Sequence, residues 1–172
     1  MTSVIIVADT SVLINFLKID RMDLIGRSPR RFLATDHVAA EIADSYPDQQ
    51  DRYAAAVAAG LLDTCTVVDP AELELFVRLG PGERLGAGEC SAIAVALTRG
   101  YPIAMDDNRA VNRALRESKI AGARLDVHRT PDIMIALIRA GVISIDDADR
   151  IKEDWAAHHR FRIKAASFQD LL

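Results

Sequence analysis

The sequence predicts an α/β protein, a three-layer α/β/α sandwich around a central, mainly parallel sheet. Short apolar stretches rich in Val and Ile alternate with stretches of helical period, which is typical of a parallel sheet flanked by helices. The first stretch, residues 4–8, is continuously apolar, as expected of a strand buried on both faces. At 172 residues the chain is long enough for one domain with a substantial core. We expect residues 1–158 to form this domain, with a basic tail, residues 159–172, packed on it.

Five strands are predicted, each from a short run of apolar or β-branched residues bounded by polar or turn-forming residues. They cover residues 4–8, 31–35, 64–69, 103–105 and 124–128. Asp9 directly follows the first strand, and Asp106 directly follows the fourth. Ligands of open parallel sheets collect at the carboxyl ends of the strands. Acids at these two strand ends are therefore candidates for a functional site.

Helices are predicted between the strands from apolar periodicity and from residues that begin or end helices. Thr10 and Ser11 are suited to cap the first helix, and Pro70 stands where the first position of a helix is expected. Gly100 is placed to end the most apolar helix, residues 89–98, which must be buried because it is apolar all round. The predicted helices are 12–18, 21–26, 37–43, 51–59, 71–79, 89–98, 109–118, 130–140 and a last one that starts after Ser144 or Asp146 and runs toward residue 158.

The charge and cysteine content exclude several classes of function. The chain has 21 basic and 25 acidic residues, which argues against a protein that coats nucleic acid non-specifically but allows a local basic groove. Cys65 and Cys90 have no spacing typical of a metal or disulfide framework, which fits a reducing cytosol. No signal peptide is apparent, and no run approaches the ~20 apolar residues that span a bilayer. We therefore expect a cytoplasmic protein with no membrane partner.

Four acidic positions are candidates for a shared site. Asp9 and the pair Asp106 and Asp107 follow predicted strands, Glu41 lies beside apolar residues of a predicted helix, and Glu89 opens the most apolar helix. Acids near a core are costly unless they are paired or bind a cation, and no Lys or Arg is an obvious partner here. Carboxylates gathered in one cleft raise one another's pKa values, and Mg²⁺ or Mn²⁺ removes that penalty. The acids together indicate a site for a hard divalent cation.

Other catalytic classes fit the sequence less well. An aspartyl-phosphate phosphatase needs a second Asp two residues after the first, and Ser11 occupies that place. A P-loop is not supported, because the glycine-rich stretch 80–88 has no Gly-Lys-Ser/Thr ending. The four histidines, at positions 37, 128, 158 and 159, are scattered and offer no Ser–His–Asp or Cys–His arrangement.

The order and context of the acids resemble the PIN-domain family, the fold of the VapC-type toxins of prokaryotic toxin–antitoxin pairs. The matching motifs are the apolar strand into Asp9-Thr10-Ser11 and the segments 38–42 around Glu41, 88–94, 103–109 and 130–141. The resemblance covers roughly residues 4–150, and it is specific because loose motifs occur in the right order. Two positions depart from the family pattern, since Glu89 stands where many members have Asp and Met105 where they have Thr.

The resemblance implies a Mg²⁺- or Mn²⁺-dependent endoribonuclease that hydrolyses phosphodiester bonds of single-stranded or looped RNA. The implied acidic catalytic residues are Asp9, Glu41, Glu89 and either Asp106 or Asp107, with the last choice left open. The implied metal ligands among them are Asp9, Glu89 and Asp106 or Asp107. Ser11 resembles the family's hydroxyl that steadies the first Asp by hydrogen bonding. One or two metal ions are compatible with this set of acids.

A cleft of carboxylates repels phosphates, so an RNA substrate needs positive charge nearby. Arg109 and Arg113, on the helix after the acidic pair, are the predicted substrate-binding residues. The resemblance also implies a toxin role, with a small antitoxin protein as partner and a homodimer as the oligomeric state. Apolar residues of 51–59 or around Phe76 are the candidate interface. The alternative function is a catalytically silent PIN-like module that binds RNA or protein.

Overall fold

Five parallel strands form the central sheet in a computed structural model that describes residues 4–172. The strands are β1 (Ile5–Ala8), β2 (Arg31–Thr35), β3 (Asp63–Cys65), β4 (Ile103–Ala104) and β5 (Val127–His128). Their order across the sheet is β3-β2-β1-β4-β5, and each strand pairs in parallel with its neighbours. The first three residues of the predicted domain lie outside the described residues. The predicted α/β fold with a mainly parallel central sheet is confirmed.

Helices cover both faces of this sheet. They are α1 (Thr10–Lys18), α2 (Met22–Gly26), α3 (Asp36–Ser45), α4 (Pro47–Ala58), α5 (Pro70–Leu79), α6 (Ala87–Arg99), α7 (Asn108–Ala121), α8 (Thr130–Arg139) and α9 (Ile145–His158), with a 3₁₀ helix at Phe168–Leu171. The core on one face is built by α1 to α4, α8 and α9, and the core on the other face by α5, α6 and α7. Within residues 4–172, no helix combines the length and the apolar character that crossing a membrane requires.

Strand β1 supplies side chains to both cores. Ile6 and Ala8 join the core of α1 and its neighbours, while Val7 joins the core of α5, α6 and α7. Successive side chains of a strand point to opposite faces, and all three are at most 1% exposed. The continuous apolar run at the start of the chain follows from this position, because a central strand covered on both faces has no solvent side.

Several helices start earlier than the sequence predicts, and α1 and α4 show the reason, because the residues before their predicted starts already belong to the cap or the first turn. Helix α1 begins at Thr10 instead of residue 12, since Asp9 itself is the cap and accepts a hydrogen bond from the backbone N–H of Ser11. Helix α4 begins at Pro47 instead of residue 51. Proline at a first helical position loses no hydrogen bond, and its fixed φ already suits the helix.

Strand β3 is shorter than the predicted span 64–69. Among residues 4–172 it pairs with β2 alone, and the register ends where Thr35 faces Cys65. Beyond Thr35 the chain turns directly into α3 at Asp36. Residues after Cys65 therefore have no strand to pair with, and their β propensity alone does not keep them in the sheet.

The C-terminal segment packs on the core that contains α1. Trp155 of α9 is fully buried between Phe16 and Phe161, with ring centroids 5.7 Å and 5.4 Å away. Its Nε1–H donates to the backbone carbonyl of Asn15 at 2.8 Å. Phe168, in the 3₁₀ helix, is fully buried in the same core. Residues of both α9 and the tail are thus attached to the helix that follows β1.

Candidate active site

The strand order reverses at β1, which lies between β2 and β4. Loops that leave β1 and β4 run to opposite sides of the sheet, and such a reversal opens a crevice at the carboxyl ends of the strands. Asp9 directly follows β1, and Asp106 and Asp107 follow β4 after Met105. Helix α3 starts from the end of β2 and carries Glu41. The topology thus directs acids from three neighbouring strand ends toward one place.

Asp9 is a buried carboxylate that Ser11 holds through two hydrogen bonds. Its Oδ2 accepts hydrogen bonds from Ser11, from the backbone N–H at 3.1 Å and from Oγ–H at 2.6 Å. Its Oδ1 is buried and has no hydrogen-bond partner within residues 4–172. Burial raises the pKa of Asp9 from 3.8 to about 6, and the charge of Glu41 acts in the same direction. Ser11 makes the hydrogen bond to Asp9 that the family resemblance implies.

Glu41 reaches the crevice through space that a glycine leaves open. A Cβ added at Gly88 would overlap Glu41 Oε2 and would lie 3.4 Å from Thr10 Oγ1. In the described part of the chain, Glu41 Oε2 and Thr10 Oγ1 are buried without a hydrogen-bond partner, as is Asp9 Oδ1. Burial raises the pKa of Glu41 and the charge of Glu89 adds to this, whereas the nearby Thr10 hydroxyl and Gly88 backbone N–H act to lower it. Glu41 Oε2 and Thr10 Oγ1 therefore lie together beside Gly88, and the charge of Glu41 acts on Asp9.

Glu89 lies in the first turn of α6, facing the same acids. Its Oε2 accepts a hydrogen bond from the backbone N–H of Gly86 at 3.0 Å, which satisfies one of the free amides at the start of the helix. Burial raises the pKa of Glu89, and the charges of Asp9 and Asp107 raise it too, while Arg109 lowers it. Glu89 is thus electrostatically linked to acids from both β1 and β4.

Asp107 caps α7 and keeps one oxygen available. Its Oδ1 accepts hydrogen bonds from the backbone N–H groups of Arg109 and Ala110, at 2.9 Å and 3.0 Å. Its Oδ2 accepts no hydrogen bond from any of residues 4–172. The charge of Asp107 also acts on Glu89. Of the two consecutive acids after β4, this one faces the other carboxylates.

Asp106 points away from those carboxylates, toward α8. Its Oδ1 accepts from the backbone N–H of Thr130 at 2.9 Å, and its Oδ2 accepts from Thr130 Oγ–H at 2.6 Å. Asn15 Nδ2 also donates to Oδ2, at 3.0 Å. Burial raises the pKa of Asp106, whereas the hydrogen bonds from Thr130 lower it. The charge of Arg129 also lowers this pKa, and the charge of Asp132 raises it. The two consecutive acids thus have different partners: Asp106 is held by Thr130 and Asn15, whereas the charge of Asp107 acts on Glu89. Which of them is the site residue stays a prediction.

A chain of hydrogen bonds holds the start of α3 against the start of α6. Thr35 Oγ1 accepts from the backbone N–H of Val38 at 3.1 Å and lies 2.6 Å from Ser91 Oγ. Ser91 Oγ in turn donates to the carbonyl of Gly88 at 2.8 Å. Both hydroxyl residues are fully buried. The chain fixes α3, which carries one acid of the crevice, against α6, which carries another.

The donor set of the crevice fits a hard divalent cation. The side-chain atoms that could bind an ion there are all carboxylate or hydroxyl oxygens. Three of these oxygens are buried without a hydrogen-bond partner in residues 4–172. No three His, Cys, Asp or Glu side chains of those residues form a ready cage for an ion. Mg²⁺ usually keeps several waters and is held by one or two carboxylates, so such a cage is not required. A cation would satisfy oxygens that are costly when buried alone.

The metal-free protein is expected to lose stability relative to an Asp9→Asn variant as the pH rises from about 4 to about 6. Folding raises the pKa of Asp9, so the protonated carboxyl favours the folded state. This contribution is complete below 3.8 and is lost as the pH rises through about 6. At about 1.4 kcal/mol per pKa unit, the difference in free energy of unfolding should grow by about 3 kcal/mol. Urea unfolding in EDTA at several pH values measures it, and a difference that does not change with pH would contradict it.

The two predicted substrate-binding arginines have different surroundings. Arg109 is 78% exposed in its side chain and lies at the rim of the crevice, with Nε 3.7 Å from Asp107 Oδ1. Arg113 donates from Nε to Glu117 Oε1 at 3.1 Å and from Nη2 to the carbonyl of Arg78 at 3.4 Å. Arg113 therefore joins α7 to α5, and Arg109 is the freer cation. A role in substrate binding stays a prediction for both.

Sequence reasoning missed the polar residues that surround the acids. Thr10 was expected only as a helix cap, yet its hydroxyl is buried in the crevice. Asn15 and Thr130 contact Asp106 across 91 and 24 residues of sequence. Such contacts leave no periodic signal, and only Thr130, placed before Pro131 at a helix start, belongs to a motif that the sequence offered.

The fold and the crevice define a class, an α/β protein with an acidic, cation-compatible site where its parallel sheet reverses order. The chain matches the family model DUF3368, described as a PIN domain, over residues 5–172. The chain belongs to the PIN-domain family. PIN domains are generally nucleases and typically use divalent metals. A search of curated proteins found no match. The family predicted from the sequence is confirmed, and the VapC-type toxin assignment stays a prediction.

Proposed function

We propose that the protein is a Mg²⁺- or Mn²⁺-dependent endoribonuclease that hydrolyses phosphodiester bonds of RNA. The observation that supports this most is the mutual influence of four acids in one crevice of a PIN domain, two of which present buried oxygens without partners among residues 4–172. These acids are Asp9, Glu41, Glu89 and Asp107. Acids that only stabilised the fold would have found hydrogen-bond donors or cationic partners.

In this proposal Asp9 and Asp107 would hold the metal ion, because they follow the neighbouring strands β1 and β4 and each has a carboxylate oxygen that accepts no hydrogen bond from residues 4–172. Bound Mg²⁺ or Mn²⁺ lowers the pKa of a water and neutralises charge that develops on the phosphate. Glu89 has a raised pKa and one carboxylate oxygen outside its helix-capping hydrogen bond, so it is suited to accept a proton from the attacking water. Glu41 is suited to orient that water beside Asp9.

RNA would approach along a basic groove next to the acids. The groove follows the exposed side of α7 and the loop before α6, and its cations are Arg84, Arg109, Arg113 and Arg116. Arg109 connects it to the crevice, since its charge already acts on Glu89. Positive charge at this rim offsets the repulsion between carboxylates and the phosphate backbone.

Replacing Arg109 with Ala is expected to weaken binding of single-stranded RNA in EDTA and to lower the slope of log affinity against log salt by about 0.7. The reason is the loss of one phosphate contact at the rim. Arg124→Ala is the matched control, because Arg124 is 88% exposed and pairs only with the nearby Asp126 in the described residues. Fluorescence anisotropy over a salt series measures both variants. Equal losses in both would reject a specific role for Arg109.

The proposed activity is tested by incubating the purified protein with labelled single-stranded RNA in Mn²⁺ or Mg²⁺. We expect shortened strands, and we expect EDTA to stop their formation. An intact substrate under all metal conditions, with a folded protein, would favour the silent binding module over the nuclease. Asp9→Asn shows whether the cleavage comes from this protein or from a contaminating nuclease. Cleavage by a contaminant would persist in the variant preparation, because only the acid of this crevice has been changed.

We extend the proposal to a toxin role in the cytoplasm with a small antitoxin protein as partner. The support is the family resemblance and an exposed apolar surface on and before α5, where Val68, Leu73 and Val77 are 68%, 41% and 70% exposed. Apolar surface of this kind is typical of a protein interface. The alternative is that a second copy of this chain binds the same surface and forms a homodimer. Light scattering with and without a candidate antitoxin distinguishes the homodimer from the complex with antitoxin.

A further inference from the structure

Asp106 differs from the acids of the crevice, because residues 4–172 engage every one of its polar atoms. Its two carboxylate oxygens accept from Thr130 and Asn15, as described above. Its backbone N–H donates to Ser11 Oγ at 3.0 Å, and its carbonyl accepts from Nη1 of Arg129. Each carboxylate oxygen of Asp106 thus already accepts at least one hydrogen bond from the protein, whereas Asp107 Oδ2 and Asp9 Oδ1 accept none from residues 4–172. The contacts of Asp106 come from α1 and from the junction of β5 and α8.

Ser11 connects this buried acid to the anchor of the site. Its hydroxyl donates to Asp9 Oδ2 at 2.6 Å and accepts from the Asp106 N–H at 3.0 Å. One hydroxyl thus ties the residue after β1 to the loop after β4. Asp107 is the next residue of that loop, with an extended backbone at φ −68° and ψ 122°. The charge of Asp107 acts on Glu89, which links it to the acids of the crevice. Because Asp106 is held at its backbone N–H, its carbonyl and its carboxylate, the backbone from which Asp107 extends is held as well.

Asn15 completes the arrangement from α1. It is 6% exposed, and its Nδ2 lies within hydrogen-bond distance of Ser11 O at 3.2 Å, Asp106 Oδ2 at 3.0 Å and Thr130 Oγ1 at 3.1 Å. Thr130 Oγ1 accepts from Asn15 while donating to Asp106, so each polar group has a compatible role. The carbonyl of Asn15 is held in turn by Trp155 of α9.

We infer that Thr130 and Asn15 are positioning residues of the site, which hold Asp106 so that Asp107 stands at a fixed place relative to Asp9. The inference rests on the proposed metal-dependent function. It gives the two acids after β4 different tasks, with Asp107 at the metal and Asp106 as the support behind it. Partners that orient metal ligands through hydrogen bonds commonly change metal affinity or activity by about 10- to 100-fold when they are removed.

The test compares Thr130→Val, Thr130→Ser and Ser118→Ala in the full chain. Valine keeps the shape of Thr130 and the backbone hydrogen bond to Asp106 Oδ1 but lacks the hydroxyl that donates to Oδ2, and serine restores that hydroxyl. Ser118 is a matched control, since it is buried, donates from Oγ to the carbonyl of Ala123 at 3.0 Å, and lies at the far end of α7. Titration calorimetry with Mn²⁺ alone measures metal affinity, and steady-state cleavage gives kcat and KM separately.

We expect Thr130→Val to bind Mn²⁺ about tenfold or more weakly and to lose kcat by a similar factor, with KM for RNA unchanged. Thr130→Ser should recover most of both losses, and Ser118→Ala should lose neither although it also loses a buried hydrogen bond. Wild-type Mn²⁺ affinity in Thr130→Val, or an equal loss in Ser118→Ala, would overturn the inference. A wild-type protein that binds Mn²⁺ without cleaving RNA would refute the nuclease alone, and the affinities would still decide on Thr130.

If Thr130→Val fails to fold, the Mn²⁺ affinities of Asp106→Asn and Asp107→Asn test the inference instead. The inference requires Asp107→Asn to lose clearly more Mn²⁺ affinity than Asp106→Asn, because only Asp107 presents a free carboxylate oxygen to the ion. Equal losses would overturn it. A wild-type protein that binds no Mn²⁺ would overturn the metal site and the positioning role together.

Discussion

The Asp9→Asn variant is expected to lose about 100-fold or more of the metal-dependent RNA cleavage, because even supporting partners of metal ligands cost about 10- to 100-fold. Asparagine replaces the charged, unpartnered Oδ1 with a neutral group in the middle of the acids. It still caps α1, because Asn is as good an N-cap as Asp and its amide oxygen can accept from Ser11. The loss should therefore come without unfolding.

Cleavage of labelled RNA in Mn²⁺ measures this variant, with circular dichroism to confirm the fold. Asp126→Asn is the control, because Asp126 is an exposed acid paired with Arg124 at 3.0 Å and outside the crevice. Unchanged cleavage by Asp9→Asn would reject the catalytic site, and an equal loss in Asp126→Asn would point to a general effect of charge. In cells, arrest of growth on expression that Asp9→Asn relieves would support the toxin role.

Gly88→Ala is expected to reduce cleavage by about 100-fold, the order that a displacement of about 1 Å in an active site costs. The added Cβ would overlap Glu41 Oε2, which is the end of a flexible side chain and can move away. The carboxylate then leaves its place beside Asp9 and Thr10. Stability should hold or rise, because alanine is favoured over glycine in a helix by up to about 1 kcal/mol. Activity and stability are thus expected to change in opposite directions.

Gly86→Ala is the control for this variant. A Cβ there would lie 3.6 Å from Glu41 Oε2, an ordinary van der Waals distance, so cleavage should stay near the wild-type rate. A double variant of Gly88→Ala with Glu41→Ala sharpens the test. If the alanine acts by displacing Glu41, it should add no further loss once that carboxylate is gone. Additive losses, or full activity in Gly88→Ala, would contradict the proposed place of Glu41 in the site.

The sequence was sufficient where the signal was local. The run before Asp9 predicted a buried strand, because that prediction depends only on neighbours in the chain, and the site predicted at the end of this strand stays a prediction. The burial of α6 followed from composition in the same way, and residues 90–96 are all buried. The parallel sheet followed from the alternation of strands and helices.

The division between Asp106 and Asp107 could not be predicted from the sequence. Two consecutive acids have the same composition and the same propensity, and only their distant partners distinguish them. Asp106 accepts hydrogen bonds from Thr130 and Asn15, whereas the charge of Asp107 acts on Glu89. The early end of β3 has a related cause, because β3 stops pairing where its neighbour β2 ends at Thr35. Both outcomes depend on contacts between residues that are far apart in the sequence, which a short window of sequence does not reveal.

The hydrogen bonds between Asp9, Asp106 and Thr130 join parts of the chain that are made at very different times. Thr130 follows Asp9 by about 120 residues, which takes a ribosome about 6 to 24 s at ~5–20 residues per second. Strand β1 also lacks β4, its neighbour in the sheet, until residues 103–104 have been made, and Trp155 is added after Thr130. During this interval the growing chain contains Asp9 but no complete crevice. An enzyme that cuts RNA would thus stay inactive on the ribosome that is translating its own messenger until most of the chain has been made.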